Sequence, residues 1–177
     1  MAFLIIALVA SALPAQEAPG QLPAARMYDL SGQSYQLRDL LGATTVLNFW
    51  ATWCGPCRLE LPELQKLAKE LGGKGLLVLA INVDLPPAPD EAAAQLLAAV
   101  KPRVEAFVRG NGITLPIFLM DGATSGAFGI EHIPFTVLVD RSGSVQQIYA
   151  GYSPGGMRDL RERVVKLVGG QRTSAGR

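Results

Sequence analysis

Asn48-Phe49-Trp50-Ala51-Thr52-Trp53-Cys54-Gly55-Pro56-Cys57-Arg58-Leu59-Glu60 is the stretch where the sequence changes period. Thr44 to Trp50 is a short apolar run rich in β-formers, which predicts a buried strand. After the stretch, Leu61, Leu64, Leu67, Ala68 and Leu71 recur at helical spacing. They predict a helix that opens near Cys54, is kinked at Pro62 and ends at Gly72-Gly73. The two cysteines of the chain therefore fall at a strand-to-helix junction.

Positions i and i+3 share a face in the first turn of a helix, so Cys54 and Cys57 lie within disulfide reach. Unpaired backbone N–H groups and the helix dipole favour a thiolate at such a place. The thiolate is the attacking species in disulfide exchange. Cys54 is the expected nucleophile, and Cys57, one turn in, the expected resolving thiol. Other readings of the pair are weaker. A disulfide this short closes almost no loop and stabilises little. A zinc site needs about four ligands, whereas the chain has two Cys and one His. Covalent haem attachment wants His after the second Cys, and Arg58 stands there. Redox chemistry is expected, with no metal and no cofactor beyond a redox-active Cys54–Cys57 disulfide.

Outward from the pair, elements alternate. Residues 26–37 loosely alternate around Ser31-Gly32, a small hairpin, and Leu76 to Val83 is a second buried strand. An Ala-rich helix is expected near 90–100, and Pro102 is expected to start a further helix ending at Gly110. Ile117 to Met120 predicts a short strand. Pro134 to Asp140 and Ser144 to Ala150 predict a hairpin through Arg141-Ser142-Gly143. Ser153-Pro154 has the form of an N-cap followed by proline, opening a last helix that runs to about Val168. The pattern is an α/β sandwich around a mixed sheet.

The 177 residues suit one domain, placed at 26–168, with a flexible tail at 169–177. A domain of roughly 150 residues buries about 70% of its unfolded surface and needs no staple. Hydrophobic residues make up 49%, which excludes a disordered chain, and a net charge of +1 without a basic stripe gives no reason to expect nucleic acid. Residues 2–10 form a short apolar run, and Ala10-Ser11-Ala12 follows with the small-x-small pattern of a cleavage site. The run is shorter than the about 20 residues needed to span a bilayer. Residues 1–12 are expected to be a signal peptide, with retention as an anchor the alternative, and Pro-rich 13–25 a linker.

Asn48 through Pro62, together with Phe128-Gly129-Ile130-Glu131-His132-Ile133-Pro134-Phe135-Thr136-Val137-Leu138-Val139-Asp140, resembles the TlpA/ResA-like family of thioredoxin-fold thiol–disulfide oxidoreductases. These are exported, often membrane-tethered reductases related to the reductase of cytochrome c maturation. The resemblance implies a thioredoxin-like fold, a mixed central sheet flanked by helices, with an N-terminal hairpin extension and a helical insert that 90–110 could supply. It implies a cis peptide bond before Pro134 at a turn that holds the substrate chain. Trp53 and Pro56 would border the pair as part of an apolar docking surface, and Ile133 and Pro134 would complete the substrate site. Thioredoxin has a buried, proton-moving Asp six residues before the first Cys; Asn48 stands there and does not titrate. Glu60, three residues after Cys57, is expected to take over as proton acceptor. The plain alternative is a solvated helix glutamate paired with Lys66 or Arg58. His132 stands where thioredoxins usually have Gly; a lone loop His is more often inert.

Gly-Pro between the cysteines matches thioredoxin, whose potential of about −270 mV lies on the reducing side. The expected activity is reduction of client protein disulfides outside the cytoplasm, by a monomer drawing electrons from a membrane donor. A peroxide-reducing enzyme would want a Pro-x-x-x-Thr-x-x-Cys site, which is not found. The non-enzyme rival, a copper-delivery or copper-site assembly protein of the same fold, would use wider Cys spacing plus a matched His.

Overall fold

The computed structural model describes residues 20, 22–86 and 90–170. The expected signal peptide at 1–12, most of the linker and nearly all of the tail lie outside them. Among the described residues no helix is long and apolar enough to cross a membrane.

The chain opens with an antiparallel hairpin of β1 (Arg26–Asp29) and β2 (Ser34–Gln36), followed by a 3-10 turn at Leu37–Leu40. Next come β3 (Thr44–Trp50), α1 (Cys57–Leu71), β4 (Leu76–Leu85) and α2 (Asp90–Gly110). β5 (Ile117–Asp121), α3 (Gly122–Ala127), β6 (Phe135–Val139), β7 (Val145–Ala150) and α4 (Pro154–Gly169) complete it. One seven-stranded mixed sheet runs in the order β2-β1-β5-β4-β3-β6-β7. β3 lies parallel to β4 and antiparallel to β6. All seven residues of β3 are buried, which is why its sequence reads as a continuous run rather than an alternation.

Alternation reappears once the two faces are separated. Val46 and Trp50 point toward the apolar faces of α1, α2 and α4, among Leu61, Leu64, Val104 and Leu160. Leu47 and Phe49 point the other way, into a second core with Met27, Ile81, Phe118 and Val137. The period of 2 therefore carries Asn48 to the α1 side. In the β3–β6 ladder Asn48 stands directly opposite Thr136. Three details follow the sequence closely. The Ile133–Pro134 peptide is cis, as the family resemblance implied. Ser153 Oγ accepts from Gly156 N–H at 3.0 Å, capping α4, with Pro154 in its first turn. Gly151, at a φ of 79°, turns the chain out of β7 while its N–H donates to Pro134 O at 2.8 Å.

Two expectations need correction. α1 starts at Cys57, not near Cys54; Pro56 is its N-cap, and Cys54 closes the preceding turn by donating its N–H to Ala51 O at 3.1 Å. Likewise 90–110 is one helix with Pro102 inside it, not two helices meeting at Pro102. An interior proline removes one i→i−4 hydrogen bond. Leu97, Val100, Val104 and Phe107 nevertheless recur across it at helical spacing and are all buried, so burial on both sides holds one axis. The short helix α3 has no signal in the sequence: Gly-Ala-Thr-Ser-Gly-Ala has no apolar periodicity, and its two Gly, with Thr and Ser, offset its two Ala.

Pro102→Ala should therefore stabilise the oxidised protein by about 1–2 kcal/mol in urea unfolding. It restores one helix hydrogen bond while giving up the entropy advantage of proline in the unfolded chain. A loss of stability would point to a helix start at residue 102.

Candidate functional site

Cys54 and Cys57 form a disulfide with a Cα–Cα distance of 5.3 Å. Both are buried, at 3% and 0% exposure, although Trp53 beside them is 71% exposed. The pair is thus largely shielded from solvent beside a protruding aromatic. Cys57 N–H donates to Cys54 Sγ at 3.2 Å. In the disulfide this sulfur is neutral; after reduction the same N–H, with the positive end of α1 behind it, meets a thiolate. Cys54 lies outside the helix, yet the helix N-terminus still faces its sulfur.

Glu60 occupies the first turn of α1, three residues after Cys57. It is buried at 2% exposure, so it is not a solvated helix glutamate, and its partners are not Lys66 or Arg58. Asn48 Nδ2 donates to Glu60 Oε2 at 2.9 Å, and Thr136 Oγ1 donates to Glu60 Oε1 at 3.0 Å. Asn48 Nδ2 also donates to Thr136 Oγ1 at 2.9 Å, closing a ring of three side chains from β3, α1 and β6. Burial pushes the Glu60 carboxyl up to about 7; the two hydrogen bonds, which favour the ionised form, pull in the opposite direction and only partly offset it. A carboxyl in that range takes and releases a proton at neutral pH.

The remaining residues expected at the site divide. Trp53 and Ile133 come together along a groove of about 370 Å³ shared with Val83, Ile130, Glu131 and His132. Pro56 is exposed at the head of α1 and Pro134 is buried at the start of β6; neither lines that groove. Trp50, at the end of β3, is not one of those expected residues; it is fully buried in the core, its ring 4.9 Å from that of Phe107 of α2.

Sequence reasoning overlooked Thr136 and Asp84. Thr136 reads as one more β-former, and its pairing with Asn48 depends on a strand register that no local motif encodes. Asp84 left a faint signal, as a carboxylate near the end of the apolar run 76–85. Its side chain is wholly buried and accepts from Thr52 N–H at 3.1 Å.

Among the described residues no group of three or more His, Cys, Asp or Glu is placed to hold a metal ion.

A family model described as the AhpC/TSA family matches residues 13–161. Thioredoxin-like protein YneN of Bacillus subtilis is 33% identical over 131 residues, 74% of this chain and 70% of YneN. Thiol-disulfide oxidoreductase ResA of Geobacillus thermodenitrificans is 34% identical over 124 residues, 70% of this chain and 63% of ResA. ResA of Halalkalibacterium halodurans is 32% identical over 124 residues, 70% of this chain and 62% of that protein. The match thus spans less than two thirds of the ResA relatives. Among solved structures, the thioredoxin domain of a thiol-disulfide oxidoreductase from Bacteroides vulgatus superposes with a TM-score of 0.67 at 22% identity, covering 87% of this chain and 99% of that one. StoA from Bacillus subtilis gives a TM-score of 0.58 at 24% identity, covering 80% of this chain and 96% of that one. These two likenesses establish the thioredoxin-like fold. The family model over residues 13–161 places the chain in the AhpC/TSA family, and the sequence matches, with the Cys54–Cys57 disulfide at the head of α1, set it among thioredoxin-like thiol–disulfide oxidoreductases.

Proposed function

We propose that this chain is an exported reductase of protein disulfides, working by dithiol–disulfide exchange through Cys54 and Cys57. The observation that carries the proposal is the Cys57 N–H held 3.2 Å from Cys54 Sγ at the start of α1. It selects Cys54 as the sulfur whose thiolate the protein stabilises. Export is supported by the apolar run and small-x-small pattern of residues 2–12. In an oxidising compartment a reductase needs electrons from elsewhere, which implies a membrane donor. Client proteins of cytochrome c maturation fit the family resemblance.

In the reaction, Cys54 thiolate attacks one sulfur of the client disulfide, and the other client sulfur leaves as a thiolate. A mixed disulfide between Cys54 and the client results. Cys57 gives its proton to the Glu60 carboxylate and attacks Cys54 Sγ, and the second client sulfur leaves. Two electrons pass to the client, and Cys54–Cys57 ends as the disulfide. Trp53 and Ile133, on the groove beside the pair, contribute apolar contact to the client chain. Pro56, exposed at the head of α1, extends that surface, and Pro134 lies in the turn whose backbone holds the client chain.

Replacing Cys57 with Ser should strand the reaction at the mixed disulfide. Covalent complexes with client proteins should accumulate, visible as reducible bands on non-reducing gels, and disappear in the Cys54→Ser, Cys57→Ser double variant. Adducts that persist without Cys54 would refute its role as nucleophile.

Glu60 serves as a base only when ionised. Resolution of the mixed disulfide should therefore speed up as pH rises through about 7. Glu60→Gln should slow that step by about 10²-fold and erase this limb of the pH profile. Stopped-flow measurement of client release at pH 5.5 to 8.5 checks both; an unchanged profile would remove Glu60 from the mechanism.

The same carboxyl links stability to pH. Its folded value, about 7, lies above the ordinary value of 4.5. Between those two values the folded protein holds a proton that the unfolded chain has released, so stability falls as pH rises across this window. The drop should be on the order of 3 kcal/mol for the oxidised protein, and Glu60→Gln should abolish it. Urea unfolding at pH 4.5 and 8 gives the comparison.

A further inference from the structure

The Thr52 backbone is gripped from two sides. Its N–H donates to Asp84 Oδ2 at 3.1 Å, and its carbonyl accepts from Arg58 Nη2 at 3.2 Å. Thr52 is the second residue of the turn closed by Cys54 N–H on Ala51 O. Its orientation therefore sets how Trp53 and Cys54 leave the sheet.

Neither gripping residue stands alone. Asp84 Oδ2 also accepts from Asn82 Nδ2 at 3.1 Å, and Asp84 N–H donates to Asn82 Oδ1 at 3.0 Å. Arg103 Nη2, from α2, lies 3.9 Å from the same Oδ2. The Asp84 side chain has no exposed surface, and its Oδ1 is buried without a hydrogen-bond partner. An uncharged side chain would be far less costly to bury there. Arg58, for its part, lies over the Phe107 ring of α2 at 5.2 Å, and Phe107 packs on Trp50 at the end of β3. Both grips on Thr52 thus lead back to one helix, the insert between β4 and β5.

We propose that Asp84 and Arg58 are positioning residues that fix, through the Thr52 backbone, the turn presenting Cys54, and that helix α2 is the brace that holds them. This rests on Cys54 being the attacking thiol. It gives the helical insert a part in the redox site. Positioning of this kind matters because disulfide exchange needs the thiolate aligned with the bond it breaks.

The charges of the two residues make the idea testable. If they acted only by biasing the thiolate electrostatically, removing the anion and removing the cation would move the reactivity of Cys54 in opposite directions. If they hold the turn, both removals slow it. The full chain, reduced, is reacted with the aromatic disulfide 5,5′-dithiobis(2-nitrobenzoate) under single-turnover conditions. Asp84→Ala and Arg58→Ala should each slow the Cys54 attack by about tenfold. Asp84→Asn keeps a neutral acceptor for the Thr52 N–H and should recover to within about threefold of the parent rate. Thr52→Pro deletes the N–H donor, keeps both charges, and places proline where a turn accepts it; it should be as slow as Asp84→Ala. Near-ultraviolet circular dichroism of the oxidised forms identifies which variants are folded, and Arg58, being exposed, leaves a usable variant if Asp84→Ala does not fold. Folded Asp84→Ala or Thr52→Pro reacting at the parent rate would overturn the proposal, as would Arg58→Ala at the parent rate or opposite shifts in the Asp84→Ala and Arg58→Ala variants. Cys54→Ser, run alongside, tests the nucleophile separately: reaction surviving in it would sink the assignment of Cys54 and leave the grip on Thr52 a separate question.

Discussion

Glu60 puts an ionisable group where the fold would otherwise place hydrocarbon, and the cost of that burial shapes its surroundings. A carboxylate moved out of water without partners is penalised by several kcal/mol. Two donors answer it, Asn48 Nδ2 and Thr136 Oγ1. They do not cancel the penalty, since the carboxyl is still pushed up to about 7. The residual imbalance is what lets the group hold a proton near neutral pH, because full compensation would leave an ordinary carboxylate. The ring therefore works by being under-satisfied, and the orphaned Asn48 Oδ1 shows how little spare hydrogen-bonding capacity lies around it.

That ring imposes a requirement on the sheet. Asn48 and Thr136 meet because β3 and β6 run antiparallel with these two residues directly opposed. A slip of one residue would turn either side chain to the far face, into the core formed by Phe49, Ile81 and Val137. The apolar alternation of the two strands penalises such a slip strongly. The polar ring is consequently held in place by the hydrophobic residues that flank it in sequence, Leu47 and Phe49 on one strand, Phe135 and Val137 on the other.

How much of this could be read from the chain depends on the range of each interaction. The Cys54–Cys57 spacing, the strand before it and the helix after it are local, and period alone places them. Ser153-Pro154 is likewise a local signal and caps α4 as expected. Pro102 misled for the converse reason. Its local message is a helix boundary, but a buried stripe from Leu97 to Phe107 overrides it through tertiary contacts that the residue itself does not announce. The start of α1 falls three residues later than the sequence predicts, at Cys57, because a backbone turn from Ala51 to Cys54 leads into the helix without a local signal that separates the two. Glu60 was found by its spacing to Cys57, whereas Thr136 was missed because its partner is 88 residues away.

Placing the acid on α1 and its donors on the sheet separates two requirements. Glu60 sits one helical turn from Cys57, so their relation is fixed by helix geometry and survives small movements of α1 against the sheet. The proton affinity of Glu60, by contrast, is set by burial and by donors on β3 and β6, which do not belong to that helix. An acid at position 48 would join both requirements on one strand, and any change in packing between α1 and β3 would alter the distance to Cys57 and the environment of the acid together. With Asn48 in that place, the strand only donates a hydrogen bond. A movement of α1 toward or away from the sheet would then change the proton affinity of Glu60 while leaving it one helical turn from Cys57. Thr136 extends this arrangement to β6, the strand that begins immediately after the cis Ile133–Pro134 bond. Ile133 lines the groove beside Trp53, three residues from Thr136 in the chain. The groove and a hydrogen-bond donor to the Glu60 carboxyl thus lie at opposite ends of one short segment of chain.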